Sequence, residues 1–241
     1  MSLYSNIGDV PQDAAAFLDS LPLFAGLSHD QLSEVAGRMK RRSFAPGVTL
    51  YHQDMPGLML YMIEEGSVRL FSIGRTGQEL TLGIFGEGEI FGELSILDNQ
   101  HHSVTAVTLA STVVWLLPRA DLKDLMERFP VIAETMIQLL VARVRSTTHH
   151  VEAMTFQDVQ GRLAYELLNL AERHGFQSGE VIEIHIPLTQ GDLATIVGAT
   201  RESVNKSMSA LRSQNLVQID GTQLTLLNPA GLRNMVHERG R

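Results

Sequence analysis

The 241-residue sequence predicts an α+β chain in three parts, and three observations carry the prediction. Residues 43–118 hold short β-rich runs punctuated by glycines; Pro130 to Met154 is one long run with helical apolar spacing; residues 189–227 read as two short helices followed by a hairpin. The expected bounds are 13–128, 129–156 and 157–241. With no cysteine, disulfides, thiolate metal sites, iron–sulfur ligation and thiol redox sensing are excluded. No stretch approaches 18 apolar residues, and no basic region leads into an apolar one at the N-terminus. The expectation is therefore a soluble, cytoplasmic protein without a membrane role.

The elements follow in order. Phe17, Leu18, Leu21, Leu23 and Phe24 mark short helices, and Ser28 is placed to cap a helix carrying Leu32, Val35, Ala36 and Met39. Lys40-Arg41-Arg42 reads as a solvated face, with a minor electrostatic role left open by its position just before the β region. Strands are expected at Leu58–Ile63, Val68–Ile73, Leu80–Leu82, Val104–Leu109 and Thr112–Leu117, which together suit a small barrel, roll or sandwich. Within this region Phe91-Gly92-Glu93-Leu94-Ser95 is a glycine-bearing turn whose backbone N–H groups can form an anion nest, with Glu93 able to accept from hydroxyls. No Arg or Lys occurs from residue 76 to 118, so chemistry alone leaves a ligand pocket and a plain scaffold both open.

In the long run, Ile132, Met136, Leu140, Val144 and Val151 form a stripe that suits a two-stranded coiled coil. Ile137, Leu139 and Val141 widen the face, as they would if one side packed on the β region and the other on a second subunit; a helix buried within one chain is the alternative. His149 and His150 read as caps or surface residues, because their neighbours lack metal-ligand spacing, and no metal site is expected. Asp158 caps the next helix, which buries Leu163, Leu167, Leu170 and Ala171 and ends at Gly175. Residues 176–180 read as linker-like, and a strand at Val181–Ile186 follows.

Thr189, with Asp192 three residues on, starts a helix bearing Leu193, Ile196 and Val197 that ends at Gly198. Thr200 caps a second helix whose buried stripe is Val204, Met208 and Leu211. Arg201, Glu202, Asn205, Lys206 and Ser209 fall on its opposite side, where an Arg fork can meet guanine and a carboxylate can accept from cytosine. Gln190, Thr189 and Thr200 stand at the helix starts, in reach of phosphates in such a docking. A solvated helical hairpin would place its charges similarly. The next residues favour the first reading: two β-rich runs around Asp220-Gly221 form a hairpin, completing the order of a winged helix. Asn228-Pro229 starts a short last helix with Leu232 and Val236. Formal net charge is −8, yet residues 159–241 hold eight Lys/Arg and eight Asp/Glu, so the acidic excess lies before the helix-turn-helix.

Order and motifs together resemble the Crp/Fnr family of bacterial transcription regulators, from about Phe17 to Leu227. Phe91-Gly-Glu-Leu-Ser95 is similar to the phosphate-binding cassette of the family's cyclic-nucleotide-binding-type β-roll, and Gly198-Ala-Thr-Arg-Glu-Ser-Val-Asn-Lys206 to its recognition-helix signature. The resemblance implies a homodimer that binds palindromic double-stranded DNA with TGTGA-like half-sites, and that touches RNA polymerase if it activates. It is not expected to be an enzyme. Arg201, Glu202 and Lys206 match the base readers, Glu93 the ribose ligand, Ser103 the phosphate ligand, and Thr147 and Thr148 the helix positions that touch the base; Gly92, Leu94 and Ser95 belong to the cassette.

The sequence departs from the family at His102, where cyclic-nucleotide binders carry Arg, and at Val104, where they carry Ala. Loss of a charged contact in a partly buried site costs on the order of 2–3 kcal/mol, roughly a hundredfold in affinity. The expected effector is thus a weakly held cyclic nucleotide or another anion. An effector-independent regulator with a vestigial pocket and a haem sensor using His52, His101 or His102 stay open; a nucleotide-binding module without DNA is disfavoured by the winged helix.

Overall fold

The computed structural model describes residues 13–239. The expected absence of an N-terminal leader and the last two residues of the expected 157–241 domain lie outside the described residues. Internal contacts divide the chain into two units: the chain up to Ser72 with Phe85–Val144, and Ile73–Ile84 with the chain from Arg145 on.

The first unit opens with α1 (Asp13–Ser20), a 3-10 turn at Pro22–Phe24 and α2 (His29–Ala36). Ser28 caps α2 in a reciprocal capping box with Gln31. Strands β1 (Lys40–Phe44), β2 (Thr49–Tyr51), β3 (Met59–Glu65), β4 (Val68–Ile73), β5 (Glu79–Phe85) and β6 (Ile90–Phe91) follow, then α3 (Glu93–Leu97), β7 (Thr105–Thr108), β8 (Thr112–Pro118) and α4 (Arg119–Arg128). They form two four-stranded sheets, ordered β1-β8-β3-β6 and β2-β7-β4-β5. Between the sheets lies a core of Ile63, Val68, Leu70, Phe91, Ala106 and Val114. A second core joins Trp115, Met62 and Leu117 to Leu18, Phe24 and Val35 of the N-terminal helices. The run Lys40–Arg42 is not simply a solvated face: it is the start of β1, paired with β8, and Arg41 donates to Glu64 at 2.7 Å. Exposed Lys40 and half-buried Arg41 and Arg42 fit an edge strand whose Arg41 reaches past β8 to Glu64 of β3.

Helix α5 (Pro130–Phe156) is longer than the expected stripe and carries two apolar faces. Ile132 and Met136, read from the sequence as interface residues, are instead fully buried in the protomer's own core, and Leu140 packs partly against it. The outward residues are Ile137, Val141, Val144 and Val151, of which Val144 is 66% exposed.

In the second unit α6 (Val159–His174), capped by Asp158, packs on α7 (Gln190–Val197), α8 (Arg201–Ser213) and α9 (Pro229–Arg239). The expected linker at 176–180 is in fact mostly β9 (Gly175–Ser178), which turns at Gly179 to pair with β10 (Val181–Ile184). Its four residues are all exposed, so no alternation of apolar residues marks it as a strand. The hairpin of β11 (Val217–Asp220) and β12 (Gln223–Leu226) completes the sheet β11-β12-β10-β9. Asp220 pairs with Gln223, so the turn is Gly221-Thr222, one residue later than the sequence reading. Gly221 has φ +62°, and a glycine first in a two-residue turn suits the twist of the strands.

Candidate DNA interface and effector pocket

The helix-turn-helix is fixed by local chemistry. Thr189 Oγ accepts from the Asp192 N–H at 3.1 Å, and Asp192 Oδ2 accepts from the Thr189 N–H at 2.9 Å. This satisfies two of the donors that a helix start leaves unpaired. Gly198 ends α7 at φ +61°, a left-handed conformation that costs about 1–2 kcal/mol for a residue with a Cβ. Thr200 then accepts from the Ser203 N–H at 3.2 Å and restarts the chain as α8. Val204, Met208 and Leu211 bury one side of α8, and Arg201, Glu202, Asn205, Lys206 and Ser209 are exposed on the other. Thr189, Gln190 and Thr200 are exposed at the two helix starts. Among the described residues, the side chains of Arg201, Glu202, Asn205 and Lys206 form no hydrogen bond or ion pair, so their polar groups are available to a ligand.

The candidate effector pocket lies in the first unit. Gly92, at φ +87°, would bring a Cβ to 2.9 Å from the Met59 carbonyl, so only glycine lets β6 turn into α3 at this distance. That turn drives Glu93 inward until it is 1% exposed. Its Oε1 accepts from Arg143 of α5, which also donates to the Ile90 carbonyl and lies over the Phe85 ring. Glu93 Oε2 is buried with no partner among the described residues. A cavity of about 50 Å³ brings Gly92, Glu93, Leu94, Ser95, His102, Ser103 and Val104 together with Tyr51, Leu70 and Arg143. Thr147 and Thr148 stand on the part of α5 that belongs to the second unit.

His102 is buried, stacked on Tyr51 at 3.6 Å, and shares a 3.1 Å hydrogen bond between its Nδ1 and Ser95 Oγ. Burial pushes its pKa below the ordinary histidine value. Burial likewise raises the pKa of Tyr51, with Tyr61 and Glu93 adding to the shift, so its phenol stays protonated. The cation of this pocket is therefore not His102 but Arg143, which the sequence reading missed. Arg143 lies four residues before Thr147, one turn away on the same helix face, and that spacing was the available signal.

Among the described residues no group of three or more His, Cys, Asp or Glu could hold a metal ion. No helix of the described residues is long and apolar enough to cross a membrane.

Comparison with known proteins meets this geometry at both sites. Residues 41–129 match the cyclic nucleotide-binding domain family, and residues 161–235 the Crp-like helix-turn-helix domain family. The chain is 33% identical to the cyclic AMP receptor protein of Thermus thermophilus, over 82% of this chain and 88% of that one. It is 30% identical to a CRP-like cAMP-activated global transcriptional regulator of Mycobacterium tuberculosis, over 85% and 91%. Among solved structures, FixK2 from Bradyrhizobium japonicum shares the fold with a TM-score of 0.74 at 22% identity, covering 82% of this chain and 96% of that one. These relatives are transcription regulators, not enzymes. With a roll, a long helix and a helix-turn-helix in that order, the chain belongs to the Crp/Fnr family of cyclic-nucleotide-binding transcriptional regulators.

Proposed function

We propose that two copies of this chain associate along the outward stripe Ile137, Val141, Val144 and Val151 of α5, and that the dimer reads a two-fold-symmetric duplex. The exposed, unpaired side chains of α8 carry this reading. Arg201 at the first turn can fork onto guanine O6 and N7, Glu202 can accept from cytosine N4, and Lys206 lies on the same face one turn later. Two-fold symmetry spaces equivalent helices by about 34 Å, one turn of duplex, which fits a palindrome; TGTGA-like half-sites are what the resemblance of Arg201, Glu202 and Lys206 to the family's base readers implies. Thr189, Gln190, Thr200 and Ser209 flank the readers and suit phosphate contacts. Should the protein activate, RNA polymerase is its further partner. Selection from random duplex should return a palindrome, and Arg201→Ala should relax preference at one base pair per half-site at a cost of about 1–3 kcal/mol. Selection without palindromic enrichment would refute the reading.

The roll's ligand is best read from the Arg143–Glu93 pair. A simple anion would draw Arg143 away and strand a buried carboxylate, at a cost typical of broken buried pairs, about 3–5 kcal/mol. A ligand with both hydroxyls and an anionic group engages both partners, with a hydroxyl donating to the orphaned Glu93 Oε2. This favours a cyclic nucleotide over a simple anion, held weakly because Arg143 is shared and His102 is uncharged. At about 50 Å³ the pocket is far short of the roughly 300 Å³ of small-molecule sites, so binding requires it to widen. Calorimetric titration with cyclic AMP should show binding weaker than micromolar at neutral pH; sub-micromolar binding would overturn the argument.

A further inference from the structure

With no cysteine, the sulfur of the chain lies entirely in its ten methionines, and one of them stands against the helix-turn-helix. Met154 is in the last turn of α5, within the second unit. It is half-buried, so a small solute can reach one side of it while the other is packed. Its methyl carbon and its sulfur lie 3.5 and 3.6 Å from where a Cβ on Gly198 would stand, which is ordinary van der Waals contact. Gly198 is the left-handed stop of α7, and Thr200 and Arg201 follow within three residues. Met154 therefore backs the turn from which α8 starts.

The sulfur has a second neighbour. Nη1 of Arg162, in α6, lies 3.6 Å from the Met154 Sδ and donates to it. A thioether is a weak acceptor, whereas a guanidinium bonds best to a strongly polar or anionic oxygen. Arg162 Nε is buried and has no partner among the described residues. A buried donor left unpaired points to a missing acceptor. One oxygen atom added to the Met154 sulfur would supply such an acceptor beside the same guanidinium. Met208, on α8, is buried in that helix's core-facing stripe; Met55, 48% exposed, belongs to the first unit and serves as a reference.

We infer that Met154 is a site of reversible oxidation by hydroperoxides, and that its sulfoxide weakens DNA binding. A sulfur lone pair attacks the peroxide, the O–O bond breaks as the S–O bond forms, and sulfur loses two electrons. With hydrogen peroxide, the proton of the transferred oxygen passes to the departing hydroxide, which leaves as water. The new oxygen accepts from Arg162 in a charge-assisted bond, and the larger, polar side chain is drawn off its apolar contact with Gly198. The turn before α8 loses its backing, and the recognition helix its fixed angle.

The test treats the full-length protein with hydrogen peroxide and maps oxidation by peptide mass spectrometry. Expected is sulfoxide at Met154 ahead of buried Met208, with a lower midpoint in the helical transition seen by circular dichroism. Met154→Leu, a volume-conserving change, should abolish that shift. Both readouts work without DNA, so they stand or fall apart from the DNA reading. On the duplex recovered by selection, oxidation should weaken binding about fivefold or more, and methionine sulfoxide reductase should restore it. The loss should track the sulfoxide fraction at Met154 and not at Met55, a measure that needs no variant. Arg162→Leu should shrink the loss to about twofold or less, which a merely packed methionine would not predict. An unmodified Met154 once Met55 is fully oxidised, an oxidative shift that persists in Met154→Leu, a loss undiminished in Arg162→Leu, or a Met154 sulfoxide with unchanged midpoint would each overturn the inference.

Discussion

Replacing Arg143 by Ala should destabilise the roll, and the structure sets the size of the effect. Glu93 is 1% exposed and Arg143 is its ion-pair partner, bonded at Oε1, while Oε2 lacks a partner among the described residues. Removing one member of a buried pair costs about 3–5 kcal/mol. The Arg143 side chain is 28% exposed, and water can reach the gap it leaves, so the loss falls to or just below the bottom of that range, about 2–3 kcal/mol. For a unit of this size that corresponds to a drop in midpoint of roughly 6–12 °C. Trp115 is the only tryptophan in the chain and is buried in the roll's core, so its fluorescence reports this unit without signal from the other. The double variant Glu93→Leu/Arg143→Met removes both charges and should recover most of the loss, because an apolar pair of similar volume is often neutral or better than the ion pair. If Arg143→Ala melts within about 0.5 kcal/mol of the unmodified protein, or if the double variant is worse than the single one, the ion pair does not stabilise the roll.

Met136→Ala, in the core, should cost about 2–5 kcal/mol by Trp115 fluorescence and leave the sedimentation coefficient of the dimer unchanged. Val144→Glu, on the outward stripe, should do the reverse: melting within about 0.5 kcal/mol of the parent, and dissociation on sedimentation. Gly198→Ala should lower a helical transition seen by circular dichroism but not by Trp115, by about 1–2 kcal/mol, with weaker DNA binding. His102 is held below the ordinary pKa of 6.5, so as pH falls through that value the unfolded chain takes up a proton that the folded chain refuses. Its contribution to stability is therefore complete above about pH 6.5 and drains away below it, and His102→Phe should flatten the slope of the Trp115 midpoint between about pH 8 and pH 5.5.

The helix-turn-helix was legible because its signals are local. Thr189 with Asp192, Gly198 at a left-handed stop and Thr200 as a cap each act within a few residues, and the burial of Val204, Met208 and Leu211 follows from their spacing. Helix α5 was harder, since it is apolar on two sides. Met136 and Ile137 are adjacent in sequence, yet one joins the core and the other faces outward, and periodicity gives both stripes without saying which belongs to the protomer. The pocket was legible only in its cassette. Glu93 meets Arg143 from 50 residues away, and no local pattern joins a carboxylate at a glycine turn to one turn of a distant helix. His102 shows the opposite difficulty: the sequence marks the departure from Arg, but the stacking on Tyr51 and the Ser95 bond that bury the ring come from partners no local pattern names.

Arg143 and Val144 also connect the pocket to assembly through one stretch of helix. Arg143 turns inward to Glu93 and the Ile90 carbonyl, and the next residue, Val144, is among the most exposed apolar side chains of α5. A ligand that competes for Arg143 must change the contacts of a residue whose backbone is continuous with the outward stripe, and a helix transmits such a change because its turns move as a rigid body. Conversely, a second subunit packed on Val144 restricts how far Arg143 can shift, which by linkage alters the affinity for whatever the pocket holds. The expected outcome is that Val144→Glu and Arg143→Met are not additive in ligand affinity: once Arg143 is gone, breaking the interface should no longer change binding. Additive losses in that cycle, measured by calorimetry with cyclic AMP, would mean that the pocket and the stripe share a helix without sharing energy.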